Sequence, residues 1–395
     1  MQRGAVMAVS TSAGLLDRNH SQSVFKHAIL RRYVTPYAAM VGSSSPGHRV
    51  AIVDGFAGRG RYPDGTPASG ELILRAAAKA SRAIVEATLV EKKRADYEKL
   101  AQVVDEYKAL GVRAVAHQGL VHEHLADIVA GAQGIPLFLF LDPCGAGLPF
   151  LDLARVLDGE RRQVRPSTEV LINFSADFTR RATGALVAGQ HNHESLPALD
   201  RVCGGTWWRE VALEALGPDS TFEPCAEAVA HAYKDRLARM TGMHGITVPV
   251  KRRAHHQPVY HLVFLTRSPF GIWVFADAIA RARHEWLEAL GPEASDADDA
   301  LFSFGDVVKD VITQEQEKAR VRVRQNLHGI VSRRRRSKLV DEVWSVFDGV
   351  YGVANDTTVS AALASAVKDG AVSVIEQGTK IRNSVIGPGA RPATA

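Results

Sequence analysis

The sequence predicts a doubly wound α/β fold, in which a Rossmann-like parallel sheet has helices on both faces. Short apolar runs alternate with helical patterns over residues 50–175, which favours right-handed βαβ units whose strands are buried on both sides. Two further apolar runs, within residues 246–266, follow each other too closely for a crossover helix. With 395 residues, of which 46% are hydrophobic and 23% charged, the chain has room for one large domain and a smaller one.

Each element of the predicted sheet is bounded by a change in hydrophobic periodicity. Residues 1–21, rich in Ser, Ala and Gly, are expected to be a disordered leader, and an amphipathic helix follows over Val24–Ala39. The five strands predicted next are Val50–Val53, Ala87–Val90, Ala114–Ala116, Pro136–Leu141 and Glu169–Phe174. The helices between them are predicted at Gly70–Ser81, Arg94–Leu110, Val121–Ala130 and Leu151–Leu157.

A terminal hairpin distinguishes this sheet from a wholly parallel one. Residues 177–237 have a helical pattern without a clear strand, which predicts a helical insertion. Strands Ile246–Arg252 and Val259–Thr266 come next, and the short link between them requires that they run antiparallel. Five parallel strands that close with an antiparallel hairpin are typical of class I methyltransferases, whereas simple dinucleotide-binding sheets are wholly parallel. With a final helix at Phe275–Leu290, the methyltransferase-like domain is expected to span residues 22–290.

The chain changes character after residue 290. Residues 291–338 are predicted to be an acidic and then basic connector, since Lys318–Lys338 contains nine Lys and Arg residues and no acid. The densest part of this block, which could contact the phosphates of DNA or RNA, is Arg333, Arg334, Arg335 and Arg336. A solvated basic helix is the alternative interpretation. Two helical stretches and a β-ribbon over residues 339–386 suggest a winged-helix-like module, and residues 387–395 a tail.

A glycine-rich loop after the first strand predicts a nucleoside cofactor. Asp54 ends the strand, and three glycines follow within six residues, where they let the backbone turn tightly and approach a ligand. Their GxxGxG spacing is common where the methionine part of S-adenosylmethionine meets a chain. Glu91 ends the second strand, where it could accept hydrogen bonds from ribose hydroxyls, and Gln118 could contact an adenine edge. The predicted cofactor-binding set is Asp54, Phe56, Gly58, Gly60, Glu91 and Gln118.

The end of the fourth strand carries the predicted catalytic motif. Asp142 and Pro143 stand where ligand crevices form in open α/β sheets. They resemble the [Asp/Asn]-Pro-Pro-aromatic motif of amino-methyltransferases, whose acceptor atoms orient the lone pair of a target amine. Cys144 replaces the second proline. A cysteine at this strand end is a nucleophile in cytosine-C5 methyltransferases, but a lone cysteine after an apolar strand is more often a small buried residue.

Three segments of the sequence resemble a known family. Lys26–Leu30, Val53–Tyr62 and Asp142–Gly145 are similar to segments of the three-Cys-motif partner family, TcmP. More distantly they resemble the RlmJ family, which methylates an adenine amine in ribosomal RNA. The resemblance implies a methyltransferase fold with Lys26 near the active face, and a separate three-cysteine partner protein that resembles radical S-adenosylmethionine enzymes. The chain departs from the RlmJ motif at Cys144 and the residue after it, where that family has proline and tyrosine.

Other classes of protein have less support in the sequence. The three cysteines are scattered, which favours a reducing, cytoplasmic setting, and no apolar run reaches the roughly 20 residues of a membrane span. The paired histidines lack metal-site spacing, so no metal is expected. Three hypotheses remain. They are a methyltransferase that uses S-adenosylmethionine on a base amine held by Asp142, a cytosine-C5 methyltransferase with Cys144 as nucleophile, and a non-catalytic nucleic-acid- or protein-binding partner.

Overall fold

The computed structural model describes residues 21–143, 145, 147–217, 221–251, 256–289 and 304–390. Several predictions fall outside the described residues: the leader up to residue 20, Cys144, the acidic part of the connector within 291–303, and the tail from residue 391. The first described element is helix α1, Ser21–Gly42, which contains the amphipathic helix expected at its place in the sequence.

A seven-stranded sheet with the order β3-β2-β1-β4-β5-β7-β6 forms the centre of the protein. Its strands are β1 (Arg49–Asp54), β2 (Ile84–Glu91), β3 (Arg113–Gln118), β4 (Leu137–Leu141), β5 (Thr168–Ser175), β6 (His244–Lys251) and β7 (Pro258–Thr266). Neighbouring strands from β1 to β5 are parallel, and β7 runs antiparallel to both β5 and β6. The predicted doubly wound sheet and its terminal antiparallel hairpin are confirmed.

Helices cover both faces of this sheet, which is why its central strands are apolar throughout. The first face is covered by α1, α2 (Ser69–Lys79), α3 (Arg94–Ala109) and α10 (Pro269–Ala289). The second is covered by α4 (Val121–Gly131), α5 (Phe150–Asp158), α6 (Ala176–Val187), α7 (Ser195–Cys203), α8 (Trp207–Glu214) and α9 (Glu223–Thr241). Strand β4 serves both cores, because Phe138 and Phe140 face the first and Leu139 and Leu141 the second.

The helices α6 to α9 occupy the region where a helical insertion was expected. Helix α9 packs against β6, β7 and α5, and it buries Val229, Tyr233 and Leu237 in the second core. The insertion therefore completes the cover over the hairpin end of the sheet and forms one wall of the space beyond the carboxyl ends of β4 and β5.

The C-terminal region is a small helical unit with its own antiparallel sheet of order β8-β10-β9. It consists of α11 (Phe304–Arg333), β8 (Ser337–Lys338), α12 (Val343–Val346), α13 (Asp356–Lys368), β9 (Val372–Glu376) and β10 (Val385–Pro388). The first of the two predicted helical stretches after residue 338 is instead a 3-10 turn, Leu339–Glu342, followed by the short α12. Both pieces bury apolar side chains: Leu339, Val340, Val343 and Val346.

Residues 304–333 of the expected connector form the long helix α11, which packs as part of this unit. Its side chains at Ala319, Val323, Leu327 and Ile330 are all buried. These positions are three or four residues apart and form one helical stripe, which the intervening arginines obscured in the sequence.

The C-terminal unit packs along α10, for example through the Arg283–Glu315 ion pair of 2.7 Å. It also reaches the end of the main sheet opposite to the carboxyl ends of its parallel strands. The ring of Trp344 lies 5.9 Å from that of His244, at the start of β6. Arg382 donates to the sulfur of Met40 at 3.7 Å, near the end of α1. Helix α1 begins near the opposite end of the sheet, so its Lys26 and Met40, fourteen residues apart, are separated by about 21 Å at 1.5 Å per residue.

Candidate active site

Polar side chains from several strands converge at the carboxyl end of the main sheet. Asp54 ends β1, Asp142 follows β4, Asn173 lies near the end of β5, and Tyr260 lies near the start of the antiparallel β7. Because β4 lies between β1 and β5, these side chains share one crevice.

The centre of the site is an ion pair between Lys26 of α1 and Asp142. The Lys26 ammonium contacts Asp142 Oδ2, and their side chains are only 14% and 11% exposed. Burial alone would lower the pKa of Lys26, but the charge of Asp142 and the hydrogen bond to it outweigh burial and raise this pKa. Asn173 Nδ2 donates to the other carboxylate oxygen, Asp142 Oδ1, at 2.6 Å. The structure thus brings together Lys26 and Asp142 as predicted, and adds Asn173.

Aromatic rings border this ion pair. Lys26 Nζ lies 5.8 Å from the centre of the buried Tyr260 ring. His27, next to Lys26 on α1, lies 6.0 Å from the ring of Tyr62, which follows the glycine loop. Burial, reinforced by the charge of Lys26, lowers the pKa of His27 to about 3. His27 is therefore a neutral imidazole at physiological pH.

Asp54 is the most deeply buried acid of the site. Its side chain is fully buried, and Oδ1 accepts from the backbone N–H of Phe56 at 3.0 Å. Its second oxygen, Oδ2, has no hydrogen-bond partner among the described residues. Burial raises the pKa of Asp54 to about 7, although the neighbouring Ser69 hydroxyl and the Phe56 amide favour the charged form. A buried carboxyl oxygen without a partner at a strand end fits a ligand that donates hydrogen bonds.

The glycine loop and Glu91 form a second, connected part of the site. Gly58 and Gly60 have φ angles of 59° and 75°, which strongly favour glycine, and a Cβ on Gly60 would lie 3.0 Å from Leu100 Cδ1. Glu91 Oε2 accepts from the Gly58 N–H at 3.0 Å, and Oε1 accepts from the Lys93 N–H at 2.7 Å. Burial raises the pKa of Glu91. An ionised carboxylate accepts about four hydrogen bonds, so these two leave capacity for a ribose diol.

The remaining predicted residues of the crevice are placed less tightly. The side chain of Gln118 is exposed, and its backbone carbonyl accepts from His124 Nε2 at 3.0 Å when that nitrogen is protonated. Phe56 packs its half-buried ring against the second core. Pro143 lines an apolar cavity next to Asp142, whereas Cys144 lies outside the described residues.

The apolar cavity extends from the crevice toward the helical insertion. Leu141 and Ile172 form its sheet side, Leu199, Val202 and Tyr233 form its helical side, and Asn173 stands beside it. Among its described lining residues none is acidic or basic. The cavity has a volume of about 20 Å³, which is room for about one water molecule.

The arginine cluster Arg333–Arg336 is at the other end of the molecule, at the end of α11. All four side chains are exposed. Arg334 pairs with Glu342 at 3.2 Å and Arg336 with Glu376 at 2.9 Å, so acids outside the basic block neutralise part of it. Within the described residues, Arg333 and Arg335 form no ion pair with an acid.

Sequence reasoning missed Asn173 and Tyr260. Asn173 was included in the predicted strand Glu169–Phe174 but was not considered as a site residue. The available signal was a polar residue within an apolar strand. It lies one position before the predicted end of that strand, which neighbours the strand that leads to Asp142. Tyr260 gave no such signal, because aromatic residues are common in strands. Among the described residues there is no cluster of three potential metal ligands, and no helix is both long and apolar enough to cross a bilayer.

Comparison with known proteins yields structural similarities of low score. No protein-family model matches the chain, and no curated protein sequence matches it. The O-methyltransferase from Bacillus cereus in complex with SAH is 12% identical with a TM-score of 0.34, over 65% of this chain and 85% of that one. The methyltransferase domain of bacterial CtHen1 is 11% identical with a TM-score of 0.31, over 60% and 98%. An uncharacterized protein from Listeria monocytogenes serotype 4b is 10% identical with a TM-score of 0.28, over 84% and 96%. Similarity at this level does not transfer an activity.

Proposed function

We propose that the chain is an S-adenosylmethionine-dependent methyltransferase that acts on an amine of a nucleic-acid base. The observation that carries the proposal is the Lys26–Asp142 pair in the crevice beyond β1 and β4, with the unpartnered Asp54 Oδ2 at the end of the adjacent strand. The pair provides a place for an N–H donor on Asp142, and the buried Asp54 oxygen provides a place for a cationic cofactor.

The cofactor-facing residues fit S-adenosylmethionine in chemistry. Asp54 Oδ2 would accept from the methionine ammonium, Glu91 would accept from the ribose hydroxyls, and the left-handed Gly58 and Gly60 would let the backbone approach the methionine part. Gln118 would remain at the solvent-exposed rim, where its amide could contact the adenine edge. Each assignment uses a hydrogen-bonding group that its own neighbours leave with free capacity.

Asp142 would position the acceptor and then receive its proton. When bound, S-adenosylmethionine supplies a methyl group on a sulfonium, so transfer forms one N–C bond, breaks one S–C bond and releases one amine proton. In the structure Asp142 Oδ2 accepts a hydrogen bond from the Lys26 ammonium. Once Lys26 moves aside, it would accept one from the amine that is to be methylated. This arrangement accelerates transfer chiefly by orientation and local electrostatics.

Nucleic acid as the source of that amine is supported by two features outside the crevice. The exposed arginines at the end of α11 could pair with phosphates. The C-terminal unit has the helix and strand order expected of a winged-helix-like module, with its β-ribbon after α13. The resemblance to RlmJ points to an adenine amine, and that to TcmP points to a separate three-cysteine partner protein.

Calorimetry with S-adenosylmethionine tests the proposal first. We expect the native protein and a Glu98→Ala control to bind it. Glu91→Ala should bind it at least tenfold more weakly, because ribose contacts from a partly buried carboxylate are lost. Absence of binding in the native protein would refute the proposal. Mass spectrometry of nucleosides from treated DNA and RNA then identifies the methylated atom. Methylation at an exocyclic nitrogen that persists in Cys144→Ala supports the amine mechanism, and methylation at cytosine C5 that is lost in this variant supports a thiol nucleophile.

A second candidate is a nucleic-acid-binding protein that uses the fold without catalysis. It is favoured by the position of Arg333–Arg336 at the end of the molecule away from Asp142. This candidate predicts that Gln substitution of the four arginines abolishes retention of nucleic acid, while S-adenosylmethionine neither binds nor changes retention.

A further inference from the structure

Asn173 has an unused hydrogen-bond acceptor at the centre of the site. Its Nδ2 donates to Asp142 Oδ1 at 2.6 Å, and its own Oδ1 is buried and has no partner among the described residues. The orientation of the amide is fixed by chemistry, because an ionised carboxylate only accepts hydrogen bonds and Nδ2 must therefore face Asp142. The position of the unpaired oxygen follows from that contact.

A buried amide oxygen without a partner costs free energy, since its desolvation is not offset by a hydrogen bond. The structure offers no compensating donor for it among the described residues. In a site that accepts a ligand, such an atom is explained if the ligand supplies the donor.

The contact with Lys26 shows that Asp142 Oδ2 accepts hydrogen bonds from an ammonium group. The hydrogen bond from Asn173 Nδ2 to Asp142 Oδ1 holds the Asn173 amide, with its unpaired Oδ1, next to this carboxylate. We infer that, once Lys26 has moved aside, Asn173 Oδ1 and Asp142 Oδ2 together bind a primary amine through its two N–H bonds, which makes Asn173 a specificity-determining residue for the methyl-accepting substrate. The inference rests on the proposed methyltransferase function.

Two hydrogen-bond-accepting oxygens determine which chemical group of the substrate can receive the methyl group. A primary amine satisfies both oxygens and keeps its lone pair free, whereas a hydroxyl has one hydrogen and leaves one buried oxygen unpaired. A ring carbon offers neither oxygen a strong donor. The substrate class is therefore a primary amine, and a ring nitrogen or a hydroxyl is disfavoured.

Sinefungin provides a test that does not need the natural substrate, because in this analogue a C–NH3⁺ group replaces the methylsulfonium of S-adenosylmethionine. Its affinity is compared by calorimetry with that of S-adenosylhomocysteine, which lacks the amine. In the native protein we expect sinefungin to bind more tightly. In Asn173→Leu, of similar volume, we expect sinefungin to lose roughly tenfold to a hundredfold in affinity, because a hydrogen bond to a charged group is lost, while the affinity for S-adenosylhomocysteine changes less than about twofold. An unchanged affinity for S-adenosylhomocysteine also shows that Asn173→Leu is folded.

Asn173→Asp separates the two roles that Asn173 could have. It keeps oxygen acceptors at residue 173 but loses the amide donor to Asp142, so the inference predicts that it retains most of the preference for sinefungin. Loss of the preference in Asn173→Asp to the same extent as in Asn173→Leu would mean that Asn173 only holds Asp142 in place, and would overturn the inference. An affinity ratio that is near one in the native protein, or unchanged in Asn173→Leu, would overturn it too and leave the cofactor site intact. If neither compound binds the native protein, the proposed function fails and this inference with it.

Discussion

Replacing Asp54 by Asn should weaken the cofactor site and stabilise the fold at the same time. The reason is that this carboxyl is fully buried, has one oxygen without a partner, and has a pKa raised by burial to about 7. A ligand ammonium needs the ionised form, whereas folding alone favours the protonated form. As the pH rises, ionisation of Asp54 should strengthen cofactor binding and weaken folding, so the two effects have opposite signs and are measured by separate assays.

The binding effect follows from the fraction of Asp54 that is ionised. With a pKa of about 7, the carboxyl is about one-eleventh ionised at pH 6 and ten-elevenths at pH 8, so the dissociation constant should be about tenfold larger at pH 6. Calorimetry with S-adenosylhomocysteine at both pH values measures this ratio. In Asp54→Asn the contribution of this carboxyl should disappear and affinity should be low throughout. The exposed Asp64 offers a control, since Asp64→Asn should keep the pH dependence of the native protein.

The stability effect has the opposite sign. Because the pKa of Asp54 rises on folding from 3.8 to about 7, its favourable contribution is complete below pH 3.8 and is lost as the pH rises through about 7. Three pKa units correspond to an upper bound of about 4 kcal/mol. Asp54→Asn should therefore have a larger free energy of unfolding than the native protein at pH 8, and urea denaturation measures it. A variant that is less stable at pH 8 and binds S-adenosylhomocysteine like the native protein would refute the reasoning.

Three other predictions concern the fold and the arginine cluster. Burial raises the pKa of Glu169 from 4.5 to about 7, so its ionisation should lower the stability by about 3 kcal/mol as the pH rises through this range. Asp54 adds its own fall over the same range. Urea denaturation of Glu169→Gln should therefore show a fall that is smaller than that of the native protein by about 3 kcal/mol, and Glu98→Gln should show the native fall. Arg161 is buried and donates to Thr168 Oγ1 and two backbone carbonyls. Arg161→Met should therefore lower the free energy of unfolding by about 3 kcal/mol or more, whereas Arg162→Met, at an exposed residue, should lower it by less than about 1 kcal/mol. Equal losses in the two variants would contradict this prediction. Gln substitution of Arg333–Arg336 should reduce the slope of log affinity for duplex DNA against log salt concentration. The reduction should correspond to about two phosphate contacts instead of four, because two of the four arginines pair with acids. An unchanged slope would mean that these arginines do not contact the DNA.

The sheet could be predicted because burial on both faces leaves a direct record in the sequence. Strand β4 is apolar at every position, and the short link between β6 and β7 permits only an antiparallel pair. The acids at the ends of β1, β2 and β4 were located for the same reason, as the first polar residues after apolar runs. Strand order places these ends side by side, which is what turns isolated residues into a candidate site.

Pairings between distant residues left no comparable record. Arg334 and Glu342 are close in sequence, but Arg336 meets Glu376 only through the fold of the C-terminal unit, so the basic block seemed free of acids. The role of Asn173 depends likewise on its contact with Asp142, 31 residues away. Hydrophobic periodicity encodes which face of an element is buried, and it contains no information on which polar atoms meet.

The separation of the two candidate sites constrains what a nucleic-acid substrate must look like. Lys26 marks the crevice, and Met40, about 21 Å away along α1 at 1.5 Å per residue, contacts Arg382 at the end of the C-terminal unit that carries the arginine cluster. At 3.4 Å per base pair, a duplex that reaches from Asp142 to the arginine cluster would span at least about six base pairs. A shorter acceptor cannot reach both, so Arg333–Arg336 can contribute to its methylation only if they act on something other than the acceptor. The crevice residues Asp142 and Asn173 should bind an amine in either case, because their contacts with each other and with Lys26 lie within the main domain.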